Sequence, residues 1–269
     1  MNYVYVEDKV KLAVQEYNPR GGTPVVLVHG WPVNHKMYEY QLDMLANLGV
    51  RVIALDLRGF GASDCPTHGY DYERLAKDLY IVVNQYNLRS FALVGFSMGG
   101  AIAIKYMSLF KNPRVIKLGL LSAAAPKFTQ TEGYPYGMTV QEVDRLIASI
   151  RQDRPLAVDN FGEMFFCSGV SPSFRSWFNG LGWDACPIAT INTAITLRDA
   201  DLRGELKNIK VPTTIIHGKL DRLCPYEFAE ILHKNIRNSV LVPFENSGHA
   251  IFYDELDKFN KVFAKFVTA

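Results

Sequence analysis

The chain has 269 residues, 48% of them hydrophobic and 21% charged. That length suits nearly two domains, or one large α/β domain with an insertion, and the composition allows a sizeable buried core. A net charge of +2, from 29 Lys and Arg against 27 Asp and Glu, with no long basic run, excludes a strongly basic nucleic-acid binder. No stretch approaches the ~18 uninterrupted apolar residues of a membrane span. Met1–Asp8 lacks the basic start and apolar middle of a secretory signal, so a cytoplasmic setting is expected. The four cysteines, Cys65, Cys167, Cys186 and Cys224, show no C-x-x-C and no zinc spacing. They are expected to be reduced, mostly buried thiols, and no metal or other cofactor is expected.

In chain order, Tyr3–Glu7 and Val10–Tyr17 read as two strands joined at Asp8-Lys9. Asn18–Gly22 is a turn cluster. Pro24–Val28 is an apolar strand of the kind buried on both faces in a parallel sheet. A helix is expected from about Met37 to Leu48, closed by Gly49 as a left-handed cap, then a strand over Val50–Leu55. Tyr72–Tyr86 is helical, with Leu75, Leu79, Val82, Val83 and Tyr86 on one face. Ser90–Phe96 is a strand, Met98–Leu109 a helix and Val115–Leu121 a strand. Val211–Ile216 and Val240–Val242 complete the strands, accompanied by helices over about Tyr226–Lys234 and Tyr253–Val267. The alternation predicts β-α-β winding and a mostly parallel central sheet flanked by helices.

Between Ala125 and Lys207 the alternation stops. That stretch has helix-like pieces, no good strand, and many aromatics, among them Phe128, Phe161, Phe165, Phe166, Phe174, Trp177, Phe178 and Trp183. A core of 1–125 and 208–269 is therefore expected, with 126–207 as a helical cap lying over one end of the sheet. Ordinary connecting helices with core aromatics are the plainer alternative.

The sharpest chemical signal is Gly95-Phe96-Ser97-Met98-Gly99, directly after an apolar strand and directly before a helix. A serine there sits on a tight strand-to-helix turn, next to the free N–H donors of a helix start. Serine needs a base to take its proton. Of the six histidines, His249 follows the last strand in Asn246-Ser247-Gly248, at the same sheet edge as Ser97. His233 lies within a helix, His68 in a turn-rich loop, and His217 ends a strand, where structural roles are expected. Asp221, in the loop after Thr213–His217, is the carboxylate that would orient His249. Asp199 and Asp201 are rivals in a polar stretch. Two backbone donors, each worth about 3 kcal/mol, would hold an oxyanion: the N–H of Met98 and that of Trp31, in His29-Gly30-Trp31-Pro32. Pro32 has no N–H and stiffens that loop, while His29 is expected to brace it. Pro32, His35 and Phe128 are candidate substrate contacts. Cys224 stands out for lying three positions after Asp221, but it is read as a packing residue before Pro225 rather than a nucleophile.

Five segments together carry a family resemblance: H-G-W-P (29–32), D-L-R-G-F-G-A-S-D (56–64), G-F-S-M-G-G (95–100), H-G-K-L-D (217–221) and S-G-H (247–249). The chain resembles the α/β-hydrolase superfamily, and within it the carboxylesterases grouped with cofactor-free haloperoxidases and perhydrolases. The resemblance implies an α/β-hydrolase fold, with Ser97 as nucleophile, Asp221 as acid, His249 as base, and Trp31 and Met98 as the oxyanion hole. It implies hydrolysis of a small carboxylic ester or other acyl substrate through an acyl-enzyme, without cofactor, nucleic acid or membrane partner. Pro32 stands where a proline is associated with peracid formation in that group. Perhydrolysis, or lactone, amide or carbon–carbon bond hydrolysis, would use the same machinery. A ligand receptor on this fold would be expected to have lost part of the triad. Gly59, Gly61 and Asp64 match a structural turn of the family.

Overall fold

Four consecutive apolar residues with no polar alternation need cover on both faces, and Val25–Val28 are buried throughout. The computed structural model describes residues 1–111 and 114–269. It opens with an antiparallel hairpin of β1 (Asn2–Glu7) and β2 (Val10–Tyr17), followed by β3 (Val25–Val28). The helix expected from Met37 divides here. The Asn34 side chain accepts the Lys36 N–H and caps a 3-10 turn over His35–Tyr38, so α1 covers Glu39–Asn47. Next come β4 (Val52–Leu55), α2 (Tyr72–Gln85), β5 (Phe91–Phe96), α3 (Met98–Phe110) and β6 (Val115–Leu121).

After β6 the chain forms α4 (Val140–Gln152), α5 (Arg154–Gly162), α6 (Pro172–Trp183) and α7 (Pro187–Asp199) before the next strand. The sheet then resumes with β7 (Thr213–Gly218), α8 (Tyr226–Asn235) and β8 (Ser239–Phe244), and the chain ends in α9 (Ile251–Asp254) and α10 (Leu256–Thr268). β7 starts two residues later than expected, just after Pro212, which has no N–H to give a ladder. β8 is longer than expected because its parallel pairing with β7 runs from Ser239 to Phe244.

The eight strands lie in the order β1-β2-β4-β3-β5-β6-β7-β8, and every pairing beyond β2–β4 is parallel. This is the α/β-hydrolase architecture that the motifs implied. Val26 lies between Ile53 and Leu93 at the centre of the sheet. Each such fully buried valine or leucine contributes roughly 1.5–3 kcal/mol. In an open parallel sheet the crevice at the carboxyl ends of the strands is where ligands bind. Here those ends feed the 29–32 loop, Ser97, the 219–224 loop and the 245–250 loop.

Two cysteines depart from the expectation of reduced thiols. Cys65 and Cys186 form a disulfide, with Cα atoms 6.2 Å apart, while Cys167 and Cys224 are free. The partners are 121 residues apart in sequence, so no spacing rule could pair them. They meet because the start of α7 docks on the 56–64 turn, where the Cys186 N–H donates to the Gly59 carbonyl at 2.7 Å. Closing a loop of that length restricts the unfolded chain, and stabilisation of about 2–4 kcal/mol is expected. Dithiothreitol should therefore lower the Tm of the native protein and leave that of Cys65→Ser unchanged. Among the described residues, no helix is long and apolar enough to cross a membrane.

Candidate active site

Only Ser97 separates β5 from α3, and its backbone sits at φ 51, ψ −118. A non-glycine residue there costs about 1–3 kcal/mol, so its surroundings must hold it. They do so through three bonds of 2.9 Å. The Ser97 N–H donates to the Leu121 carbonyl, and its own carbonyl accepts from Gly100 and Ala124. The side chain is thereby presented at the sheet edge, almost buried.

His249 comes to the same place from the far end of the chain. Its Nδ1 is 2.7 Å from Asp221 Oδ2. Its ring packs against those of Phe96 and Phe165, with centroids 4.8 and 5.0 Å away. The loop that carries it is pinned by the break between α9 and α10, which divides the single helix expected over Tyr253–Val267. Asp254 accepts the Gly248 N–H, and Glu255 at the break accepts from the Ser247 hydroxyl and the Asn246 N–H.

Asp221 is fully enclosed, and its second oxygen is also used. Oδ1 accepts the N–H groups of Leu223 and Cys224 at 2.9 and 2.8 Å. Burial alone would raise this carboxyl, but the charge of His249 and the hydrogen bonds from His217 and His249 outweigh it. They hold Asp221 well below the usual carboxylate range, hence ionised. His217 has the structural place expected of it, with Nε2 2.7 Å from the Cys224 carbonyl and 3.4 Å from Asp221 Oδ2.

Cys224 is closer to the chemistry than a packing residue need be. The Ser97 side chain is near its sulfur. Donor atoms of Asp221, Cys224 and His249 all lie within 4.8 Å of one another. Burial, reinforced by the negative charge of Asp221, pushes the thiol well above its ordinary value, so it stays protonated and poorly nucleophilic. Among the described residues no hydrogen bond joins Ser97 Oγ to His249. Such bonds commonly tighten only when substrate binds.

The 29–32 loop presses against Ser97 from the other side. A Cβ built on Gly30 would lie 2.9 Å from Ser97 Cβ, so only glycine lets this backbone so close. Trp31 and Met98 are both buried, and no acceptor among the described residues takes either amide N–H. An unsatisfied buried N–H is costly, so these two amides, on the residues that follow Gly30 and Ser97, are free to take an acceptor. The loop is clamped from above. Trp31 Nε1 donates to the Thr190 carbonyl of α7 at 3.1 Å, and the Trp31 ring meets Phe161 of α5 with centroids 4.6 Å apart. Pro32, joined to Trp31 by a cis peptide, packs under α6. There Gly182 leaves room for its ring, since a Cβ would lie 3.2 Å from Pro32 Cγ.

His29 braces this loop as expected, with Nδ1 2.8 Å from the Gly30 carbonyl and Nε2 accepting the Leu57 N–H at 2.9 Å. Burial lowers it from its ordinary 6.5 to about 4. The unfolded chain protonates His29 below pH 6.5, while the folded one resists until about pH 4. This contribution to stability is therefore complete above pH 6.5 and lost as the pH falls towards 4, by about 3 kcal/mol. Urea midpoints measured across that window should fall with acid, and His29→Asn should flatten the slope.

The other candidates have different surroundings. His35 bonds to Asp56 through both its Nδ1, at 2.7 Å, and its backbone N–H. It lines a cavity of about 280 Å³ with Asn34, Gly61 and Asp184, and Ser97 is not among the residues around it. Phe128 is buried, and its carbonyl accepts the Met138 N–H. The rings that flank His249 are Phe96 and Phe165 instead. Asp199 pairs with Arg198 and Asp201 with Arg203, both on the surface. Asp64 is structural, exchanging backbone and side-chain bonds with Lys11.

A serine on a forced strand-to-helix turn, a buried His–Asp pair from two later loops and a parallel sheet beneath them define a class of protein. The model of the alpha/beta hydrolase family matches residues 25–262, and the chain belongs to that family. It is 48% identical to the AB hydrolase superfamily protein YisY of Bacillus subtilis (strain 168), over 98% of each chain. Among solved structures it is similar to an esterase, EaEST, from Exiguobacterium antarcticum, at 47% identity and a TM-score of 0.97 over 100% of this chain and 99% of that one. It also matches a bromoperoxidase from Bacillus anthracis, at 30% identity and a TM-score of 0.94 with the same coverage.

Proposed function

We propose that the protein is a serine esterase that works through an acyl-enzyme. Ser97 Oγ attacks the ester carbonyl while His249 takes its proton. The oxyanion rests on the Trp31 and Met98 amides, and His249 returns the proton to the leaving alcohol. Water, activated by the same imidazole, then releases the acid. The observation that carries this reading is the 2.7 Å bond from His249 to buried, ionised Asp221, beside a serine held at positive φ. Residues 126–207 act as the cap. Their Phe161, Phe165 and Phe178 supply apolar cover next to Trp31 and His249, which suits a small acyl group.

Perhydrolysis is the second reading, with hydrogen peroxide replacing water on the acyl-enzyme. Pro32 beside the oxyanion loop and the likeness to a bromoperoxidase favour it. Aryl esters of graded acyl length, assayed with and without peroxide and acetate, separate the two. A serine-reactive phosphonate should label one peptide, that containing Ser97. No hydrolysis at any chain length together with no adduct would leave a ligand receptor as the better description.

A cytoplasmic location belongs to the same proposal. The Cys65–Cys186 disulfide is the observation against it and also its test, because a reducing compartment would hold those thiols open. Thiol counting on protein taken from the cells that make it decides the matter.

A further inference from the structure

We propose that Cys224, His249 and Asp221 form an inhibitory site for a thiophilic divalent cation such as zinc, which switches the enzyme off by occupying its catalytic base. The inhibition rests on the ester-hydrolase reading above; the binding does not.

Sulfur, imidazole nitrogen and carboxylate oxygen are the donor types of a zinc site. Metal bonds of about 2.0–2.3 Å imply ligand-to-ligand edges of roughly 3.3–3.8 Å in a tetrahedron. The three donor atoms lie within 4.8 Å of one another, so a shift of at most about 1 Å brings the widest separation into that range.

The ligands are also held in place. The Asp221 side chain folds the following turn back on itself by accepting the Cys224 N–H at 2.8 Å, and His217 fixes the Cys224 carbonyl at 2.7 Å. Pro225 and α8 follow directly. The His249 ring is gripped by Phe96 and Phe165. Outer contacts of this kind fix ligand orientation and strengthen metal binding.

Charge balances too. On binding, the thiol gives its proton to solvent, and the thiolate and the Asp221 carboxylate offset the two positive charges of the ion in a site with little water. The Ser97 side chain is near the sulfur, so a cation on these three donors sits close to the nucleophile. A cation held there denies His249 to Ser97 and blocks the approach of an ester.

The test uses cadmium, whose bond to thiolate gives an ultraviolet charge-transfer band, and zinc for the rate assay. A Cys167→Ser background removes the other free thiol. Cadmium should give the band of one thiolate in that background and in its Ser97→Ala derivative, and none after Cys224→Val or Cys224→Ala. Zinc should suppress ester hydrolysis, with recovery on adding EDTA. Each Cys224 variant, measured against its own zinc-free rate, should lose sensitivity by more than the roughly 10–100-fold that removal of an outer contact costs. Circular dichroism confirms that the variants are folded. A band absent from the Cys167→Ser background, or one that survives both Cys224 substitutions, overturns the site. A band without any esterase activity would instead overturn the functional reading and leave the site standing.

Discussion

Replacing Ser97 with alanine is expected to lower kcat for a short aryl ester by about 10⁴- to 10⁶-fold, with little change in Tm. The size follows from how the three groups act together. Without the hydroxyl there is nothing for His249 to activate, and only the oxyanion donors and binding remain, worth roughly 10³–10⁴ over water. The stability expectation follows from the backbone. The bonds that hold residue 97 at φ 51 come from its own N–H and carbonyl, and alanine keeps both. The neighbouring thiol makes the experiment discriminating. Should Ser97→Ala retain activity within tenfold of the native protein, and Cys224→Val remove it, the nucleophile is the sulfur. The raised thiol of Cys224 argues for the opposite result.

Much of this arrangement was legible in the sequence, for physical reasons. β3 and β5 are uninterrupted apolar runs because they are covered on both faces. G-F-S-M-G reads as a turn because its glycines stand where backbone passes backbone. The order Ser97, Asp221, His249 follows the strands that carry them, so one sheet edge could be assigned before any coordinates.

What escaped the sequence depends on contacts across the chain. His35 follows the 29–32 loop, so proximity to the pocket was a fair expectation, but Asp56, brought over by β4, takes both its Nδ1 and its N–H. The Cys65–Cys186 pair depends on where α7 docks. Phe165 is one of many aromatics in an insertion without periodic signal, and nothing local marks it as the ring against His249. Cys224 was partly legible, since it lies three residues after Asp221. Its sulfur comes within 4.8 Å of donor atoms of Asp221 and His249, in a turn where Asp221 accepts two N–H groups.

That turn gives Asp221→Asn its interest as the second large effect. Asparagine keeps an oxygen, which is expected to stay on the Leu223 and Cys224 amides, so the loop should fold as before. The amide nitrogen then takes the place of Oδ2 and presents hydrogens to His249 Nδ1. That meeting favours the tautomer protonated at Nε2, which cannot accept the Ser97 proton, and it removes the negative charge that stabilises the imidazolium. A fall in kcat of about 10⁴ is expected, with KM altered far less. Combining Asp221→Asn with Ser97→Ala should cost little more than Ser97→Ala alone, because both remove the same activated hydroxyl. A purely structural Asp221 gives the opposite pattern: a lowered Tm, a modest loss of kcat, and losses that multiply in the double variant. Steady-state kinetics and thermal melts on the three proteins distinguish the two, and additive losses would remove Asp221 from the proposed machinery.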